Sequence, residues 1–390
     1  MNLGRQRGFA LLLILLVIVT VGSTLLFTGP LRLGTDPEEQ AVIGSDLVEG
    51  RSGLTVYAAW GGVSSGRPGT VPCPDMSEPG EPGYGQMHNF SCNSSDEVFI
   101  GRLPWKTLDM RPAPQPVWLA VDGFFVNDPD NEPVNPTNDN LTGLLRLNGE
   151  SGYAAVVLAP GDPLEGQTGR PSSAISDYLE GHNRDGHDGE AGPTPQFENC
   201  GAMDSVSRLD DEPCNDRAIG IRASRILELG GLRALAEVEE IIRNYNAPPG
   251  EGELPYPAGM NTGPQFHCDE AQSSGRLPLS ASTEEEGCQG YFDVCEMDAQ
   301  WIRPLEEDIG EYDCEPENDF ENDDESEPFS GGNDWLRLVH YRPDSTCFTP
   351  GGPCSVTLSF EIQEAIDEEI EQVFADMTRE VVLESPGGGE

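Results

Sequence analysis

The sequence predicts an α+β protein: an N-terminal transmembrane helix, then a disulfide-rich, loop-rich ectodomain with small antiparallel sheets. Three features lead there. One long apolar run lies near the N-terminus, ten cysteines all follow it, and 46 Gly with 33 Pro make up about a fifth of the 390 residues. Only 36% of the chain is hydrophobic and its mean hydropathy is −0.42. That balance suits modest cores joined by turns, not a helical bundle. The length suffices for one large or two medium soluble domains.

The first element is the apolar run from Phe9 to Thr28, uncharged throughout, behind the short basic leader Met1–Gly8. As a helix it would extend roughly 30 Å, enough to cross the hydrocarbon core. A secretory signal fits poorly, because Phe27-Thr28-Gly29-Pro30-Leu31 offers no small-x-small cleavage site. Arg5 and Arg7 favour a cytoplasmic N-terminus and place everything after Pro30 outside.

Gly29-Pro30 should end this helix, and Asp36-Pro37-Glu38-Glu39 should start another, with Asp36 as cap and acids at the positive end. Gly44, Gly50 and Gly53 predict a broken helix that lays Leu47, Leu54, Val56 and Tyr57 on the domain. Trp105 and Trp118 are expected beneath a Cys73–Cys92 loop. Tyr153–Leu158, bounded by Gly152 and Pro160-Gly161, reads as a central strand. Ile219–Tyr245 has helical periodicity through Ile226, Leu229, Leu232, Leu235, Val238, Ile241 and Ile242, with a bend at Gly230-Gly231.

A boundary is placed at Asn246–Gly252, dividing residues 29–245 from a smaller module at 246–390. Beyond it, Gly275-Arg276-Leu277-Pro278 repeats Gly101-Arg102-Leu103-Pro104, and Trp335–Tyr341 echoes Trp118–Phe124. The second half reads either as a degenerate relative of the first or as a separate module. Cys347-x6-Cys354 should close a loop before a strand at Ser355–Leu358. Phe360–Glu380 reads as an acidic amphipathic helix carrying Ile362, Ile366, Ile370, Val373, Phe374 and Met377.

The ten cysteines are Cys73, Cys92, Cys200, Cys214, Cys268, Cys288, Cys295, Cys314, Cys347 and Cys354. An even number in an exported chain predicts disulfides. Local spacing makes sequential pairing the default (73–92, 200–214, 268–288, 295–314, 347–354), though ten cysteines allow many connectivities. No C-x2-C pair is present, which disfavours zinc.

With 22 basic and 69 acidic residues the net charge is −47, and Lys106 is the one lysine. Such a surface repels nucleic acid and anionic lipid, so no nucleic-acid partner is expected. Two causes fit: adaptation to high external salt, which spreads acids everywhere and removes Lys, or dedicated cation sites.

The join Arg7-Gly8-Phe9, followed at once by the apolar helix, resembles the class III leader of type IV pilins and type II secretion pseudopilins. The resemblance implies cleavage by prepilin peptidase between Gly8 and Phe9 and methylation of Phe9. One departure is Leu13, at the fifth mature position, where most such subunits carry Glu. Tip-located minor pseudopilins of the K type also lack this Glu; an uncleaved signal anchor is the alternative.

Further motifs are similar, in order, to an uncharacterised proteobacterial prepilin-type family, across roughly residues 1–245. They are Tyr57-Ala58, Arg67-Pro68-Gly69-Thr70-Val71-Pro72-Cys73-Pro74-Asp75, Cys92 and Gly101–Leu108. Trp118–Val121, Tyr153–Gly161, Gly166-Gln167, Tyr178–Asn183 and Asn215-Asp216-Arg217 continue the series. Asp109-Met110 and His182 depart from the pattern.

Chemistry is sparse. His182, Asp185, His187 and Asp188 offer two imidazoles and two carboxylates, a set able to hold a transition metal and so to serve a metal-dependent hydrolase, but they read better as a solvated surface loop. Asp128, Asp130 and Asp139 are hard oxygen donors in loops that resemble a calcium site in ligand type, without the EF-hand spacing. The run Asp319–Glu327 reads as a solvated like-charge loop. No P-loop or GxGxxG motif occurs, and no enzyme and no cofactor beyond calcium are expected.

The expectation is a minor pilin or pseudopilin-like subunit of a type IV pilus or type II secretion filament. It would sit in the inner membrane of a Gram-negative, halophilic cell, its ectodomain in the periplasm or a surface filament. Its partners would be prepilin peptidase, the membrane and other subunits. A single-pass, calcium- or ligand-binding surface protein is the alternative. If habitat explains the charge, the melting temperature rises steadily with NaCl into the molar range. Millimolar CaCl2 then adds nothing beyond matched ionic strength; a saturating millimolar calcium effect would point to dedicated sites instead.

Overall fold

The computed structural model describes residues 37–60, 69–88, 92, 97–126, 134, 143–165, 167, 169–172, 174–186, 195–200, 207–209, 212–245, 254–259, 269–278, 292, 335–348, 354–360, 374 and 377–383. The leader, the apolar run at 9–28 and the disulfides expected at 268–288 and 295–314 lie outside the described residues. Among the described residues, no helix is long and apolar enough to cross a membrane.

The protein is mixed α+β. Helix α1 spans Pro37–Trp60 without interruption, which corrects the broken helix expected from its glycines. Close packing explains the difference. A Cβ on Gly50 would sit 3.1 Å from Leu103 Cδ2, and one on Gly53 would sit 3.1 Å from Met110 Sδ. Helix propensity costs about 1 kcal/mol per Gly, and packing against the sheet outweighs it. Leu47, Leu54 and Tyr57 are buried as expected, whereas Val56 is 60% exposed.

The larger sheet contains β1 (Val98–Arg102), β2 (Trp118–Asp122), β3 (Leu145–Leu147), β4 (Glu150–Ala159), β5 (Gln196–Phe197) and β8 (Arg217–Arg222). Its order is β1-β2-β4-β3-β5, with β8 also on β4. Strand β4 is central: residues 155–158 pair with β2, and residues 153–159 pair with β8. A strand has two edges, so β3 continues along the edge that β2 leaves free. A separate hairpin joins β6 (Ser207–Leu209) to β7 (Glu212–Cys214).

Strand periodicity divides two cores across this sheet. Leu119, Val121, Ala155, Val157 and Ala159 face the helices. Trp118, Ala120, Val156 and Leu158 face Tyr178, Leu179 and Phe197 on the other side. Trp105 does lie against Gly85 inside the Cys73–Cys92 loop. Trp118 instead packs on Tyr178, at a ring separation of 5.9 Å, and reaches the loop through Arg102, whose guanidinium sits between Trp118 and Tyr84.

Helix α2 is Ala223–Asn244. It starts later than its periodicity suggests, because Ile219 and Ile221 belong to β8. Of the expected apolar positions Leu232 alone is exposed. The helix continues through Gly230-Gly231, where bare backbone is required. A Cβ on Gly230 would lie 2.9 Å from the Trp335 ring and 3.2 Å from Gly69 Cα; one on Gly231 would lie 2.7 Å from Phe374. Gly69 itself has φ +84° and donates its N–H to Ala58 O at 2.7 Å, tying the end of α1 to the same point.

The second sheet is antiparallel, in the order β12-β11-β10-β9: β9 (Gly275–Arg276), β10 (Val339–Pro343), β11 (Cys354–Phe360) and β12 (Thr378–Leu383). Alternation in β11 buries Cys354, Val356, Leu358 and Phe360. Helical turn α3 (Trp335–Leu338) leads into β10, so Trp335 is not the register counterpart of Trp118 in its strand. Both ends of the helix expected at Phe360–Glu380 are strands, a correction; residues 361–373 lie outside the described residues. Residues from both sides of Asn246–Gly252 join one buried apolar cluster, from Ile43 to Val381.

The recurring Gly-Arg-Leu-Pro marks a shared structural device. Asp75 and Arg102 exchange both backbone hydrogen bonds, at 2.8 and 2.9 Å; Ala258 and Arg276 do the same at 2.9 Å each. Gly101 backs onto Pro74 and Asp75, and Gly275 onto Pro257 and Ala258. Pro255-Tyr256-Pro257-Ala258 is therefore the counterpart of Pro72-Cys73-Pro74-Asp75, an equivalence that the sequence reading missed.

Among the described residues, three sequential disulfides are present: Cys73–Cys92, Cys200–Cys214 and Cys347–Cys354. The two longer loops, closing over separations of 19 and 14 residues, each stabilise the chain by about 3 kcal/mol on the loop-entropy view.

Gly230→Ala should lower stability by about 1–3 kcal/mol despite its better helix propensity, because the added methyl meets Trp335 and Gly69. A urea midpoint equal to or above wild type would show that the contact is not tight.

Candidate functional site

The densest polar constellation lies on the Tyr178 side of the larger sheet, where the Ala159-Pro160-Gly161, Gln167, Tyr178–Asn183 and Asn215-Asp216-Arg217 segments meet. Two acids form its centre. Asp216 is fully buried and Glu180 nearly so. Oδ2 of Asp216 accepts from the Glu180 backbone N–H at 3.0 Å and from Asn183 Nδ2 at 3.1 Å. Oε1 of Glu180 accepts from Gln167 Nε2 at 2.7 Å, and Oε2 accepts from the Asn215 N–H at 3.1 Å.

Asn183 completes the frame by donating to Glu198 O at 3.0 Å and accepting from the Glu198 N–H at 2.9 Å. Arg170 holds the outer side. It donates to the carbonyls of Asp177 and Gly161 at 2.6 Å each and to Tyr178 at 3.0 Å, while stacking on the Tyr178 ring. Asn215 Nδ2 donates to Asp162 O at 2.8 Å. Backbone turns that would otherwise need solvent are thus satisfied by side chains of the neighbouring turn.

Burial, reinforced by the charge of Glu180, pushes the Asp216 carboxyl well above the usual carboxylate range. Asp216 therefore keeps its proton above the usual Asp titration range. An acid and a carboxylate can share a dry site in this way, where two carboxylates would repel.

Glu180, Asp216 and Cys214 lie close enough together to suggest a metal centre. The donor chemistry does not fit one. The Cys214 sulfur is bonded to Cys200 and cannot supply a thiolate, and both carboxyl groups already accept hydrogen bonds from the protein. The arrangement joins chain segments, with hydrogen bonds to Oδ2 of Asp216 and to both carboxylate oxygens of Glu180.

The expected solvated loop at His182 is corrected in part. Gly181–Asn183 is a buried 3-10 turn, and His182 is 3% exposed with Nε2 3.9 Å from Glu198 Oε1. Asp185 is exposed. His187 and Asp188 lie outside the described residues, as do Gly8 and Phe9 and the calcium candidates Asp128, Asp130 and Asp139.

A second constellation locks the Cys73–Cys92 loop. Asp75, buried, accepts from the Gly85 N–H at 2.7 Å and the Ser77 N–H at 2.9 Å. Arg102 donates to Ser77 O at 2.6 Å, Lys106 donates to Tyr84 O, and the Met87 N–H donates to Thr107 Oγ1 at 2.8 Å. The motif residues of both segments are spent on holding one another. Compared with family models, curated proteins and solved structures, the chain matches none.

Asp216→Asn mimics the neutral, protonated acid and keeps an oxygen to accept from the Glu180 N–H and from Asn183. Folding raises the Asp216 pKa, so its contribution is fully present below the unfolded value near 3.8 and declines as pH climbs through the raised folded value. Melting temperature across pH 4–8 should therefore fall more steeply for wild type than for Asp216→Asn; parallel curves would contradict the assignment. Asp216→Ala, which strands two buried donors, should cost about 2–4 kcal/mol near pH 4, and less as pH rises.

Proposed function

We propose that this chain is a minor pilin or pseudopilin-like subunit, anchored by its N-terminal apolar segment and acting through assembly. The observation that carries this reading is Arg7-Gly8-Phe9 immediately before about twenty uncharged, mostly apolar residues. A processed subunit needs this join: a small residue at the cut, an aromatic new N-terminus and a helix that stays in the bilayer until it packs among others.

The geometry of the head supports the reading. Helix α1 begins nine residues after the apolar run ends and lies along strands β4 and β8. It occupies the position that the exposed half of a stem helix would take on an antiparallel sheet. The motifs that resemble the prepilin-type family lie at the contacts holding this head together. Tyr57-Ala58 meets Gly69, the Pro-Cys-Pro-Asp segment meets Gly-Arg-Leu-Pro, and Tyr178–Asn183 meets Asn215-Asp216.

An acidic head with net charge −47 repels copies of itself along a thin filament, which favours low copy number at a tip or a point of initiation. The filament system would be a type IV pilus or a type II secretion apparatus, with prepilin peptidase and other subunits as partners. Leu13, in place of the customary Glu, favours a second reading, an uncleaved anchored surface protein.

N-terminal sequencing and intact mass of protein recovered from cells with an active prepilin peptidase separate the two. The mature chain is expected to begin at N-methylated Phe9, and Gly8→Val to retain all eight leader residues. Wild-type protein still starting at Met1 would remove the filament role and leave the anchored surface protein.

A further inference from the structure

A cleft of about 580 Å³ separates the middle of α1 from the start of α2 and the end of β8, and three arginines line it: Arg51, Arg222 and Arg225. Glu228 lines it too and pairs with Arg225, yet in a chain with 69 acidic and 22 basic residues a cleft where three guanidiniums outnumber one carboxylate is locally positive. We propose that this cleft binds a small acidic carbohydrate, a hydroxylated ring carrying a carboxylate or phosphate. The assignment does not depend on the filament role.

The guanidiniums are accessible to such a ligand. Arg51 is exposed and has no ion pair among the described residues. Arg222 pairs with Glu150 at 2.9 Å, and Arg225 pairs with Glu228. Glu150 is 66% exposed and its pair is water-screened, an interaction of little worth that an incoming oxyanion can replace. Arg forks match carboxylate and phosphate oxygens in a two-point fashion. Arg222 is also the N-cap of α2 and makes no side-chain capping bond, so the positive end of that helix adds to the field at the cleft.

The hydroxyls indicate what else the ligand carries. Ser52 Oγ donates to Val48 O at 2.7 Å, and Thr55 Oγ1 donates to Arg51 O at 2.8 Å. With their protons directed into the helix, both oxygens present lone pairs to the cleft. They suit a ligand that brings hydroxyl donors as well as anionic oxygens. A bare inorganic anion offers no such donors and leaves most of the volume unused, whereas pockets of roughly 300–1,000 Å³ hold organic ligands.

The test is calorimetric titration of the full chain in detergent at low ionic strength. The probes are digalacturonate, glucose 6-phosphate, glucose and inorganic phosphate. Digalacturonate or glucose 6-phosphate is expected to bind saturably, and the one that binds identifies the acid group. Glucose should give no saturable heat, and inorganic phosphate should bind more weakly than the better sugar acid. Arg51→Gln, an exposed change that leaves the melting temperature unaltered, should weaken the sugar acid about tenfold or more. Arg243→Gln, at the opposite end of α2, should leave it unchanged. The proposal is overturned if neither sugar acid saturates, if Arg243→Gln weakens binding as much as Arg51→Gln does, or if glucose or phosphate binds as tightly.

Discussion

One close approach governs the architecture: at Gly230, α2 passes within van der Waals contact of both Gly69 and Trp335. The Gly69 backbone also receives the end of α1, through its N–H to Ala58 O at 2.7 Å. Trp335 packs with Phe360 and Phe374, which bring in the second sheet. A single side-chain methyl at this crossing would push the helix off both neighbours together. Because protein interiors are packed to crystal-like density, there is no slack nearby to absorb such a shift.

Away from that crossing, the polar order of the protein is built from turns that satisfy one another. The Glu180–Asp216 acid pair links three separate segments, and Asp75 closes the Cys73–Cys92 loop from within. Loop-rich chains with modest cores need such ties, since each ordered loop residue costs about 1–2 kcal/mol of backbone entropy. Disulfides lower that cost through the unfolded chain, and buried hydrogen-bonded acids fix the geometry of the folded one. Burial beside Glu180 raises the Asp216 carboxyl above the usual carboxylate range, which favours the neutral form and eases the repulsion between the two interior acids.

Much of the α+β framework was legible in the sequence. Val156-Val157 between Gly152 and Pro160-Gly161 identified the central strand, the Ile226–Ile242 periodicity identified α2, and local cysteine spacing identified the three disulfides among the described residues. The misses share a cause, tertiary contacts that local pattern cannot register. Gly50 and Gly53 read as helix breaks but are seats for Leu103 and Met110. Phe360, Phe374 and Met377 fall at helical spacing, yet Phe360 ends a strand and Thr378–Leu383 forms another, its Val381 buried. In a chain this acidic, Glu180 and Asp216 look like two more surface carboxylates. The one clue was their place within Tyr-Leu-Glu-Gly and Asn-Asp-Arg, and it gave no hint that the two segments meet.

The central physical claim is that both sheets and the two long helices share one core and open together. Hydrogen exchange as a function of denaturant, read on peptides from β4 and β11, tests it most directly. If the claim holds, amides of Ala155–Leu158 and of Val356–Leu358 converge on one opening free energy and one dependence on denaturant. Protection in β11 that is lost well before that in β4, with its own shallower dependence, would contradict it.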